Sequence, residues 1–142
     1  MRELKSILII DDTEDDRIIA RKYISRVIGQ VTIFDSKDGQ EGIDFLRDYS
    51  GNKEKFSNAF PPDLILLDIN MPVMNGFQFL EDFSKLTEDH PDLKSTIISM
   101  FTSSRNKDDI NQSFSFDFVK DYIIKPITRD KLKDLVDKFF KI

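Results

Sequence analysis

The sequence predicts an α/β fold: a five-stranded parallel sheet in the order 2-1-3-4-5, with helices on both faces. Three observations predict it. Short apolar runs recur along the chain (Ser6-Ile7-Leu8-Ile9-Ile10, Leu64-Ile65-Leu66-Leu67 and Thr96-Ile97-Ile98-Ser99-Met100-Phe101), and runs of this length and composition suit strands buried on both faces. Amphipathic helical segments alternate with them, the pattern of parallel strands joined by crossover helices. Two of the runs drive straight into carboxylates, Asp11-Asp12 and Asp68. In open α/β sheets the carboxyl ends of the strands are where ligands bind.

Each element has its own local warrant. Residues 6–10 form the first strand, and Thr13 can cap the helix that follows, with Asp15 and Asp16 favourable in its first turn. Ile18, Ile19, Tyr23, Ile24, Val27 and Ile28 recur there at helical spacing, and Gly29 is a natural stop. Residues 31–34 read as a short strand, 35–39 as a turn, and 40–48 as a helix carrying Ile43, Phe45 and Leu46. Residues 49–62 are polar and close on Pro61-Pro62, which reads as a surface loop tucked down by Phe56 and Phe60. After the strand that ends at Asp68, Met71-Pro72 and Asn75-Gly76 enforce a turn. Residues 76–87 are an amphipathic helix with Phe77, Phe79, Leu80, Phe83 and Leu86. Residues 96–101 are the fourth strand and 105–116 a weaker helix rich in Asn and Ser; 118–124 form the fifth strand. Thr128 caps a last helix over 129–141 with Leu132, Leu135, Val136, Phe139 and Phe140 on one face. Five such units have a common solution, the flavodoxin-like order.

Composition narrows the function classes. A chain of 142 residues favours a single domain able to bury a full core. It has no cysteine, which excludes disulfides, thiolate zinc sites and iron–sulfur clusters. The start lacks the apolar core of a signal peptide, and no apolar stretch approaches the ~18 residues of a membrane span, so a cytoplasmic location without membrane attachment is expected. Net charge is −5, against a nucleic-acid-binding surface, which would be basic. The single histidine, His90, lies in the polar turn Glu88-Asp89-His90-Pro91 and is expected at the surface, which argues against a histidine metal site or a Ser-His-Asp triad.

The strand ends carry the chemistry. In the order 2-1-3-4-5, the first, third, fourth and fifth strands are neighbours. They bring Asp11 and Asp12, Asp68 and Asn70, Thr102, and Lys125 to one edge. Taken singly, each residue is as well explained as a cap, a turn residue or a solvated charge. Taken together, three crowded carboxylates repel one another and want a hard cation, magnesium or manganese. A carboxylate can be a nucleophile toward phosphorus, while a metal and a lysine neutralise charge on a transferred phosphoryl group. A threonine hydroxyl can donate to a phosphate oxygen.

With these residues in place, the chain resembles the receiver domains of two-component response regulators, of the single-domain chemotaxis type. The matching pieces are Ile9-Ile10-Asp11-Asp12, Leu66-Leu67-Asp68-Ile69-Asn70-Met71-Pro72-Val73-Met74-Asn75-Gly76, Phe101-Thr102-Ser103-Ser104 and Tyr122-Ile123-Ile124-Lys125-Pro126. The resemblance covers nearly the whole chain and implies a set of roles. Asp68 is the phosphoacceptor. Asp12 and Asp68 ligate Mg2+ (or Mn2+) directly, with the backbone carbonyl of Asn70, and Asp11 acts through water. Thr102 and Lys125 contact the phosphoryl group. Thr102 and Tyr122 are the switch residues, Asn70 and Ser104 tune the phosphoryl lifetime, and the bond before Pro126 is cis. The departures are residues 49–62 and 87–95, both longer than in a minimal receiver; single-domain regulators that partner bacterial phytochromes look similar there.

The expected function is therefore a phosphorylation-activated signalling switch rather than an enzyme, over residues 1–142 as one receiver domain. The chain ends directly after the last helix, which leaves no room for an output domain. The expected partners are a sensor histidine kinase or phosphotransfer protein and a downstream protein target. The target would be met through the fourth helix, fifth strand and fifth helix of this reading, with a homodimer as a further expectation on that surface. Two alternatives stay open. An aspartate-nucleophile phosphohydrolase would need Asp-x-Asp after its first strand, where this chain has Asp11-Asp12-Thr13. A receiver-shaped interaction module that is never phosphorylated usually loses an acidic residue, the threonine or the lysine, and all are kept here.

Overall fold

The computed structural model describes residues 2–141. Five strands form one all-parallel sheet: β2 (Ser6–Ile10), β3 (Thr32–Ser36), β4 (Leu64–Leu67), β5 (Ile97–Thr102) and β6 (Val119–Ile124). Their order is β3-β2-β4-β5-β6, the expected 2-1-3-4-5 arrangement once a short N-terminal strand, β1 (Arg2–Glu3), is counted first. Every residue of β2 and β4 is buried, as expected of apolar runs covered on both faces.

Strand alternation divides these side chains between two cores. Ile7, Ile9, Leu64 and Leu66 point to one face, where they meet α1 (Glu14–Val27) and α6 (Arg129–Phe139) through Ala20, Ile24, Leu132, Leu135 and Val136. Leu8, Ile10, Ile65 and Leu67 point to the other, against α2 (Gly39–Arg47) and α4 (Gly76–Asp89) through Ile43, Leu46, Phe79, Leu80 and Phe83. Fully burying one such side chain is worth about 1.5–3 kcal/mol, so both faces hold the sheet firmly. A further helix, α5 (Lys107–Phe114), lies beside β6 and is capped by Asn106, whose side chain accepts from Asp108 N.

Four elements differ from the sequence expectation. Residues 49–62 are not a loop: α3 (Tyr49–Phe56) and a 3-10 turn, Ser57–Ala59, fill them. Asn52 Nδ2 donates to the carbonyl of Phe45, and the rings of Phe34, Phe45, Phe56 and Phe60 pack together, edge to face for Phe34–Phe56 and Phe45–Phe60 and tilted for Phe34–Phe45. The last helix stops at Phe139, because Phe140 is buried by pairing in an extended strand, β7 (Phe140–Lys141), parallel to β1. The edge strand runs on to Ser36, since Asp35 and Ser36 pair with Ile9 and Ile10. Thr13 precedes α1 in extended conformation, but its hydroxyl caps nothing. Thr128 does cap α6, accepting from Lys131 N.

The two long segments meet. The Tyr49 ring stacks on His90 with centroids 4.3 Å apart, and its hydroxyl donates to Asp92 in the 3-10 turn Pro91–Ser95. His90 is thus half-buried rather than free at the surface. The Lys125-Pro126 bond is cis, as expected, and so is Phe60-Pro61. Among the described residues no helix is long and apolar enough to cross a membrane.

Candidate functional site

The parallel register carries the strand-end residues to one edge. The main chain fixes them there: Asp11 N donates to Ser36 O, Asp68 N to Ile10 O and Lys125 N to Thr102 O. Asp11, Asp12 and Asp68 come together, one carboxylate oxygen of each lying within 4.8 Å of the others. Asp11 is fully buried and Asp68 is buried, while Asp12 is exposed at the mouth. Asp11 Oδ1 accepts from Thr13 N at 2.9 Å, and Arg17 Nη1 holds the Asp11 carbonyl at 2.7 Å. Asp68 Oδ1 accepts from Ile69 N at 2.8 Å, which leaves Oδ2 facing the cluster.

Lys125 enters from the end of β6. Its Nζ lies 2.8 Å from Asp11 Oδ2, 3.1 Å from Asp68 Oδ2 and 2.7 Å from Asp16 Oδ2, and 5.2 Å above the Phe101 ring. The contacts to Asp16 and Asp68 are directed hydrogen bonds; that to Asp11 is an ion pair without hydrogen-bond alignment. Burial alone would lower the Lys125 ammonium pKa, but Asp11, Asp16 and Asp68 together push it well above the ordinary lysine range. Burial pushes the Asp11 carboxyl up, against the pull of Lys125 and the Thr13 N–H.

These residues suit a hard divalent cation. The donors are carboxylate oxygens in close reach, and Asp11 Oδ2 is buried with no hydrogen-bond partner among the described residues, an acceptor that a cation or its water would satisfy. Asn70 follows Asp68 by two residues and is exposed at the same edge.

Thr102, fully buried at the end of β5, accepts from Ser104 N at 3.3 Å. Ser104 Oγ donates to Asp109 Oδ2 at 2.6 Å, and the half-buried Tyr122 hydroxyl donates to the Ser104 carbonyl at 2.9 Å. Burial, together with the charges of Asp109 and Asp68, raises the Tyr122 pKa. One chain of contacts therefore runs from Thr102 through Ser104 to α5 and to Tyr122.

Two participants escaped the sequence reading. Asp16 looked like a helix-start carboxylate, and Asp109 lay in a segment without strong periodicity. Only a three-dimensional arrangement puts Asp16 on a lysine 109 residues away.

Comparison with known proteins agrees with this geometry. The family model described as response regulator receiver domain matches residues 7–137. The response regulator Rcp1 of Synechocystis is 28% identical over 131 residues, 92% of this chain and 81% of that protein. The sensor histidine kinase CheAY of Helicobacter pylori is 30% identical over 96% of this chain, which spans only 15% of its length. The crystal structure of the phosphorylated cyanobacterial phytochrome response regulator RcpA superposes with a TM-score of 0.71 at 27% identity, over 96% of this chain and 94% of that one.

Proposed function

From a chain that belongs to the response regulator receiver family, we propose a signalling switch set by phosphorylation of Asp68. The observation that carries the reading is the convergence of Lys125 Nζ on Asp68 Oδ2 at 3.1 Å, beside the clustered Asp11 and Asp12. Asp68 Oδ2 attacks phosphorus of a histidine phosphoramidate on a sensor kinase or phosphotransfer protein. The phosphorus–nitrogen bond breaks, its electron pair stays on the ring nitrogen, and an acyl phosphate remains on Asp68. Asp11, Asp12, Asp68 and the Asn70 carbonyl would hold Mg2+ or Mn2+, which supplies positive charge against the phosphoryl oxygens. Lys125 gives up Asp68 as a partner and pairs with a phosphoryl oxygen.

The readout follows from the contacts of Thr102. Its hydroxyl turns toward the phosphoryl group, the bond from Ser104 N is lost, and the Tyr122 anchor on Ser104 shifts with it. The surface of α5, β6 and α6 then repacks, a population shift driven by the added charge and acceptors. That surface contacts a downstream protein or a second copy of the chain. Asn70 and Ser104 flank the phosphoryl position and tune its lifetime. On this reading the chain works as one cytoplasmic receiver domain whose output is protein contact, and its chemistry is confined to gaining and losing its own phosphoryl group.

The test uses a small phosphodonor, acetyl phosphate, with Mg2+. Intact-mass spectrometry should show one phosphoryl adduct that survives mild acid and is lost in base, absent from Asp68→Asn. No adduct on the wild type, or an equal one on Asp68→Asn, refutes the reading; rapid turnover of unrelated phosphate esters would point to a hydrolase instead.

A further inference from the structure

Lys125 has three ammonium hydrogens and three carboxylate neighbours. Two of them would change when the switch proposed above is loaded: Asp68 would become the acyl phosphate, and Asp11 is among the residues that would hold the cation. The third, Asp16, is altered by neither event, and it makes the shortest of the three contacts, a hydrogen bond of 2.7 Å. Its neighbours Glu14 and Asp15 are exposed to solvent, whereas Asp16 is turned inward from the first turn of α1 onto the lysine. A carboxylate placed only to suit the helix dipole has no reason to reach across to the end of β6.

We propose that Asp16 is a positioning residue that acts through Lys125, competing with the phosphoryl group for the lysine ammonium and so restraining the phosphorylation of Asp68. The physical basis is a count of donors and charges. An incoming phosphoryl group is anionic and needs the Lys125 ammonium, which already donates to Asp16 and Asp68 and is ion-paired with Asp11. Asp11 and Asp68 lie deeper and pair with the same ammonium before phosphorylation, so removal of Asp16 frees a donor while the side chain keeps two carboxylate neighbours. Asp16 is one-third exposed, so on losing Lys125 it is rehydrated, and the exchange is reversible. The proposal rests on phosphorylation of Asp68, and its experiment separates the two.

The probe is beryllofluoride with saturating Mg2+, titrated by NMR against wild type, Asp16→Asn, Lys125→Met and the double variant, alongside acetyl phosphate labelling rates. Asp16→Asn should bind beryllofluoride about tenfold more tightly and label about tenfold faster, the size of one charge-assisted hydrogen bond changing partners. In the Lys125→Met background the same substitution should change either quantity less than about twofold, because the two residues act as a unit. No gain from Asp16→Asn overturns the proposal, and so does an equal gain without Lys125, which would make Asp16 a general field charge. Should Lys125→Met fail to fold, Asp16→Glu decides: a carboxylate that still reaches Nζ keeps the wild-type affinity, and a gain equal to that of Asn overturns the role. A wild-type chain that takes neither beryllofluoride nor a phosphoryl group refutes the functional reading itself; one that takes both, with Asp16→Asn unchanged, refutes only the part given to Asp16.

Discussion

Gly76 sits directly against the backbone of Asp68. A Cβ at position 76 would fall well inside van der Waals contact distance of the Asp68 carbonyl oxygen and 2.9 Å from Ile69 Cα, while Gly76 N donates to Ile69 O. The glycine serves close approach, letting α4 begin against Asp68, the residue proposed above as phosphoacceptor. Gly76→Ala therefore has to push the backbone apart at the site. We expect a loss of about 2 kcal/mol in urea unfolding, the usual scale of overpacking, together with slower labelling of Asp68 by acetyl phosphate. Stability within ~0.5 kcal/mol of wild type would show that the loop yields freely.

Val73, five residues after Asp68, occupies the left-handed region at φ 68° and is 79% exposed. A β-branched residue is strained there and gains almost nothing from burial. Val73→Asn should raise stability by about 1 kcal/mol in chemical denaturation, since Asn tolerates this conformation. A destabilised Asn variant would mean that the valine makes contacts that outweigh its backbone strain.

The sheet was legible because its signal is local. Residues 7–10 and 64–67 are apolar throughout, and short runs of this kind bounded by turn residues suit a strand buried on both faces. The convergence of Asp11, Asp12, Asp68 and Lys125 followed from strand order alone, because parallel strands put all their carboxyl ends on one edge. What was not legible depends on partners distant in sequence. Helix α3 contains Gly51 mid-element and has no apolar stripe; it is fixed by Asn52 on the Phe45 carbonyl and by rings from other elements. The end of α6 was obscured for a related reason, since Phe139 and Phe140 fit a helical face until β1 offers Phe140 a strand partner. Asp16 is the equivalent case at the site.

Tyr49 joins α3 to the turn after α4 through the His90 stack and the Asp92 hydrogen bond of 2.9 Å. Tyr49→Phe keeps the stack and loses the bond, so stability should fall by about 0.5–1 kcal/mol near neutral pH. Burial, and then the Asp92 hydrogen bond, raise the Tyr49 pKa above its ordinary value of 10.0. A raised folded-state value contributes stability that is fully present below the unfolded pKa and lost as pH rises through the folded one. The gap between wild type and Tyr49→Phe should therefore hold from pH 7 to about 9 and close at higher pH. A gap that widens in alkali would contradict the hydrogen bond.

Asp11 gives the sharpest test of the cation site. Its carboxyl is raised by burial despite Lys125, so the apo fold favours the protonated form relative to the unfolded chain. By the same linkage, that contribution is present below the unfolded value of 3.8 and lost as pH climbs through the raised folded value, leaving the charged group a net liability at neutral pH. Asp11→Asn should consequently be more stable than wild type in EDTA at pH 7, and its advantage should shrink as pH falls through the raised value. Adding Mg2+ should reverse the ranking, because a divalent ion there would satisfy the buried Asp11 Oδ2 and offset the crowding of Asp12 and Asp68. Melting temperature should rise with Mg2+ for wild type and stay nearly flat for Asp11→Asn, and calorimetric Mg2+ affinity should weaken at acidic pH as protons compete for Asp11. Equal Mg2+ stabilisation of both proteins would remove Asp11 from the cation site and leave Asp12 and Asp68 to hold the ion without it.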